Sequence, residues 1–206
     1  MPGTVRPGEA RSGPRSPAAG QSMCQKSLQT SPYPRLDPSR ATTARLKSPS
    51  PRPTAPDPAL KKLNVFVGKW NTVGRQIEGT VGPSAEITAV DTYEWLEGEM
   101  FLIHRFEGKV GESDVACIEI AAYDTERNSY PVDTYYNNGI SNKWDYRERD
   151  GVWMLTGDWQ MKDRTMQARC INVFAADGNS FTGNWEMSED GTNWEMFWDV
   201  TATKTS

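Results

Sequence analysis

Short residue pairs that favour a reversed backbone recur along most of this chain, and they constrain its fold more than any other feature. The signals are Gly79–Ser84, Glu97-Gly98, Lys109–Glu112, Thr125–Asn128, Asn138-Gly139, Asp150-Gly151, Lys162-Asp163, Asp177-Gly178 and Asp190-Gly191. Asn-Gly and Asp-Gly supply the positive φ that two-residue hairpin loops need. The intervals leave room for strands of about 8–11 residues and require no long helix. Nine turns imply up to ten strands, each paired with its sequence neighbour. The predicted fold class is all-β: an antiparallel up-and-down β-barrel of 8–10 strands, since closure removes the exposed sheet edges.

Alternation within the segments agrees. In 140–147, Ile140, Asn142, Trp144 and Tyr146 share one face. In 181–188, Phe181, Gly183, Trp185 and Met187 do so, and in 193–202, Trp194, Met196, Trp198, Val200 and Ala202. A period of two with one apolar face marks a strand with one side buried. Strand 115–124 is apolar on both faces and is expected to be covered on both sides. The faces of 85–96 and 152–161 mix polar and apolar residues, so their orientation is open. Leu60, Leu63 and Val67 fall at helical intervals, predicting a short N-terminal helix that plugs one barrel end.

The first 58 residues differ in kind. They hold 12 of the 14 prolines and no tryptophan, and nine Lys/Arg against three Asp/Glu give +6. Residues 59–206 carry 14 Lys/Arg against 24 Asp/Glu, or −10. The expected division is therefore a disordered Pro/Ser/Arg-rich tail over 1–58 and one domain over 59–206. Four Ser-Pro pairs (Ser16, Ser31, Ser48 and Ser50) and an over-extended reading frame are alternative readings of the tail. An acidic domain lacks the clustered cations that phosphate contacts require, so no nucleic-acid partner is expected. No segment has the roughly 20 apolar residues of a membrane-spanning helix, and no secretory leader is evident, so a cytoplasmic location is expected. One His and scattered Cys (Cys24, Cys117, Cys170) give no zinc spacing and point to reduced, buried thiols.

Gly68-Lys69-Trp70, opening the first strand after a short helical turn, resembles the lipocalin/calycin pattern. That resemblance implies a Trp closing the barrel base, with a basic residue of the last strand, here Lys204, packed over it. The segments LNVFVGKWNTVGRQIEG, DTYEWLEGEMFLIHRFEG, IEIAAYDTERNSY and GNWEMSEDGTNWEMFWDVTATK are similar to a bacterial family, the domain of unknown function 1579. This implies a lipocalin-like barrel and no particular activity.

Chemistry-bearing candidates are few. His104 lies on an otherwise apolar face with Met100, Leu102 and Phe106. It reads as a wall histidine, as a polar anchor or general acid/base in a cavity, or as an axial haem ligand as in the nitrobindins. Those barrels use a histidine near the C-terminal end and none follows residue 104, so no cofactor is expected. Glu119, between Ile118 and Ile120, either pairs with Arg105 or Arg169 or projects into the lumen. All eight Trp and all six Phe lie in the domain. The inward candidates Tyr136, Trp144, Tyr146, Trp185, Trp194 and Trp198 either fill the barrel or line a small-molecule cup. Residues 188–194 resemble a sialidase Asp-box one residue short and read better as a hairpin turn.

The expected function is non-catalytic binding of a small apolar or aromatic molecule within the barrel. Its candidate ligand-binding residues are His104, Glu119, Tyr136, Asn142, Trp144, Tyr146, Trp185 and Trp198. One alternative is a small isomerase- or lyase-type enzyme using His104 and Glu119, which requires the two side chains to converge. Another is an interaction module with a filled barrel and an exposed patch of Tyr135, Trp153 or Trp159; a homodimer is compatible with any of these.

Overall fold

A computed structural model describes residues 54–161 and 163–205. The expected disorder of 1–58, the Ser-Pro pairs and Cys24 lie wholly or mostly outside the described residues. The described part is an all-β barrel of ten antiparallel strands. They are β1 (Gly68–Gln76), β2 (Ala85–Trp95), β3 (Leu102–Val110), β4 (Ser113–Ala121), β5 (Tyr130–Tyr136), β6 (Ser141–Arg149), β7 (Val152–Gln160), β8 (Thr165–Phe174), β9 (Ser180–Ser188) and β10 (Glu195–Lys204). Each strand pairs with its neighbour in sequence, and β10 returns to pair with β1, so no edge is left open. The Asp150-Gly151 turn has φ of 54° and 81° at its two residues, as a tight hairpin loop between right-twisted strands requires.

Closure of the sheet depends on a close approach at β1–β10. A Cβ on Gly74 would run into the backbone carbonyl of Asp199 and lie 2.7 Å from Val200 Cα. Only glycine lets the two strands meet there.

The N-terminal segment forms a 3₁₀ helix, Pro58–Val65, capped by the Asp57 carboxylate, which accepts the Ala59 N–H. Three residues per turn put Leu60, Leu63 and Phe66 on one side, and all three are buried. Phe66 packs against Tyr93, Tyr146, Trp153, Phe174 and Phe181, sealing this end of the barrel. Trp70 is fully buried and its indole N–H donates to the Phe66 carbonyl at 2.7 Å. Lys204 Nζ stands 5.2 Å from the centre of the Trp70 ring, as the lipocalin resemblance implies.

Three expectations about facing are corrected. A bulge between Met196 and Trp198 breaks the alternation of β10. Met196 is therefore exposed, Phe197 is buried, and Trp194 lies outside with the Arg169 guanidinium 4.0 Å above its ring. Trp153 is buried and Trp159 lines the lumen, so of the three residues expected for an outer patch only Tyr135 is exposed. The outer residues of β4, Ile118 and Ile120, are only half-buried, so this strand is covered on one side rather than two. The open faces of the mixed strands resolve as Ile87, Asp91 and Tyr93 inward on β2, and Trp153, Leu155 and Trp159 inward on β7.

Candidate functional site

Register brings the polar lumen residues together. Tyr93, His104, Glu119, Thr134 and Asn142 are successive cross-strand partners on β2 to β6. Side chains directly opposite one another on the inner face stand close enough to bond. His104 Nδ1 lies 2.8 Å from Glu119 Oε2, and Nε2 lies 2.7 Å from Asp91 Oδ1. The Thr134 hydroxyl donates to the other Glu119 oxygen at 2.9 Å, and the Thr72 hydroxyl to the other Asp91 oxygen at 2.5 Å. The result is a continuous chain, Thr72–Asp91–His104–Glu119–Thr134, across five strands.

The protonation state follows from these contacts. An ionised carboxylate only accepts hydrogen bonds. A carboxyl oxygen at each ring nitrogen lets both nitrogens donate, an arrangement that favours the imidazolium form of His104. Burial is the largest influence and opposes that charge. The hydrogen bonds and negative charges of Asp91 and Glu119 together outweigh it, raising the His104 pKa from 6.5 to about 9. The Tyr93 ring lies flat on the imidazolium, 4.0 Å away and inclined by 2°, and adds a cation–π contact. The alternative in which Glu119 pairs with an arginine is overturned: Arg105 faces Glu94, and Arg169 binds Glu186 at 2.6 Å.

Above this chain the lumen holds a cavity of about 120 Å³. His104, Glu119, Tyr136, Tyr146, Trp185 and Trp198 all border it. Trp144 and Asn142 do not: Trp144 is buried against Trp159 and Trp185, and Asn142 stands beside the Tyr136 side chain. Sequence reasoning missed Thr72, Asp91, Tyr93 and Thr134. The alternation Ile87–Asp91–Tyr93 carried a signal for Asp91, but the polar residues on the other face of that strand obscured it. Burial is the main influence on the Tyr93, Tyr146, Cys117 and Cys170 groups and pushes their pKa values up, with the Glu119 charge adding to it. They are neutral near pH 7. Both domain cysteines are free thiols.

The lumen pair passes the convergence requirement of the enzyme alternative, since His104 and Glu119 are in direct contact. The same contacts leave His104 no free nitrogen with which to take a proton or bind an iron. Among the described residues no group of three or more His, Cys, Asp or Glu is arranged to hold a metal ion. No helix among them is long and apolar enough to cross a membrane. Residues 188–194 form a turn in which Asp190 Oδ1 accepts the N–H groups of Thr192 and Asn193, lowering its pKa.

Comparisons with known proteins agree with the architecture. The solved structure of Rv2717c from M. tuberculosis superposes with a TM-score of 0.53 at 12% identity, over 73% of this chain and 99% of that one. A looser likeness, TM-score 0.48 at 13% identity, covers 71% of this chain and 92% of the S-type phycobiliprotein lyase CPES from Guillardia theta. No curated protein sequence matches. Residues 55–179, more than half of the chain, match the family described as "Protein of unknown function (DUF1579)", and the chain belongs to that family.

Proposed function

We propose that this protein binds a small, largely apolar molecule inside its barrel, without catalysing a reaction on it. The observation that carries the reading is the cavity of about 120 Å³, walled mainly by aromatic and aliphatic side chains and carrying the Asp91–His104–Glu119 cluster and Asn172. Concave, mostly apolar sites with a few placed polar groups are the usual form of small-molecule pockets. The size is close to the roughly 150 Å³ engineered cavity that takes up benzene. His104, Glu119, Tyr136, Tyr146, Trp185 and Trp198 are the proposed contact residues, joined by Asp91 and Tyr93. With a carboxyl group at each ring nitrogen, His104 has no free lone pair with which to serve as a general base.

The test is to incubate the purified protein with a metabolite extract, remove unbound material and identify retained compounds by mass spectrometry. One apolar compound at unit stoichiometry is expected from the wild type, and none from Val115→Phe, which fills the cavity. Equal retention by both proteins, or none by either, would defeat the proposal.

A further inference from the structure

The charge within the lumen selects among apolar molecules. Two carboxyl groups, Asp91 and Glu119, and one imidazole, His104, border the cavity and bond to one another. Among the described residues no Lys or Arg borders it. Counted formally, two acidic groups against one basic group sum to −1 in a mainly aromatic and aliphatic enclosure, where uncompensated charge is costly. A second feature points to the same place. Tyr93 is only 9% exposed and borders the cavity, and its hydroxyl has no hydrogen-bond partner among the described residues. A phenol without a partner can accept or donate a hydrogen bond, and the ring that carries this one stacks on His104. Each carboxylate oxygen that binds a threonine takes only that one hydrogen bond, and so keeps a lone pair.

Resting on the binding reading above, we infer that the ligand is a small organic cation, a protonated amine on an apolar or aromatic body. The ammonium would lie against Asp91 and Glu119 with the Tyr93 oxygen as a further acceptor. It would restore neutrality, and the surrounding aromatic faces would add cation–π attraction. The body of the ligand would occupy the wall formed by Phe106, Val110, Leu155, Trp159 and Trp198. A bare metal ion fits less well, because hard cations require six or more oxygens. An anionic ligand would meet like charge in a low-dielectric space.

The experiment compares four probes of one shape on the full chain: benzylamine, benzyl alcohol, toluene and benzoate. Binding is followed by NMR titration at the lumen residues. Benzylamine is expected to bind at least tenfold tighter than benzyl alcohol or toluene, with no binding of benzoate at millimolar concentration. Glu119→Gln and, separately, Asp91→Asn remove one negative charge and should bring benzylamine to within about threefold of benzyl alcohol. If either variant fails to fold, the wild-type ranking decides. Toluene or benzyl alcohol binding as tightly as benzylamine would overturn the cation assignment while leaving the binding reading intact. Failure of all four probes would overturn both.

Discussion

His104 carries the clearest residue-scale consequences. Its folded pKa of about 9 lies above the unfolded 6.5. The stability it contributes is therefore fully present below about pH 6.5 and is lost as pH rises through 9. The groups facing it are Asp91 and Tyr93 from β2, Cys117 and Glu119 from β4, Tyr136 from β5, Tyr146 from β6 and Cys170 from β8. The tyrosines and thiols among them have raised pKa values and stay neutral across that window. The unfolding free energy from urea titrations should fall between about pH 6.5 and 9.5 by at most roughly 3 kcal/mol, since each tenfold gain in proton affinity on folding is worth about 1.4 kcal/mol. His104→Gln should flatten the dependence. An Hε1 resonance titrating near 6.5 would contradict the imidazolium. Asp91→Ala leaves the His104 Nε2 and the buried Thr72 hydroxyl without their acceptor and should cost about 1–3 kcal/mol in urea unfolding. Thr72→Val loses one hydrogen bond and should cost about 1 kcal/mol. His104 and Glu119 were legible in the sequence because a lone polar residue on an apolar face stands out. Asp91 is equally a lone charged residue among Ala85, Ile87, Ala89, Tyr93 and Trp95, but which face of its strand looks inward, and that it meets the imidazole, only the closed sheet shows.

At the scale of elements, β1 and β10 hold the closure and the 3₁₀ helix holds the plug. Gly74→Ala sets a methyl group against the Asp199 carbonyl and should destabilise the barrel by about 1–3 kcal/mol. Hydrogen exchange should show the loss first at β1 and β10. Phe66→Ala removes the ring that five aromatic neighbours share and should cost about 3–5 kcal/mol by thermal unfolding. The strands themselves were readable from alternation, with one failure that has a definite cause. A bulge adds one residue against its partner strand and reverses the facing of what precedes it. Trp194 and Met196 therefore point outward, although their spacing from Trp198 places them on the inner face.

For the whole molecule, every buried apolar side chain of the described residues falls between Leu60 and Ala202. A protein beginning at residue 50, which keeps the Asp57 cap, should unfold with a melting temperature within about 2 °C of the full chain; an unfolded product would show that the first residues belong to the core. The turn dipeptides and period-two alternation by themselves determined an all-β chain of neighbour-paired strands, and the helical spacing of Leu60 and Leu63 a helical plug. They could do so because backbone φ preferences and face parity are local properties. Register, the bulge and the meeting of β1 with β10 join residues distant in sequence. Only the closed tertiary structure could decide which polar side chains face one another, and so that two carboxyl groups hold one histidine inside a mostly apolar lumen.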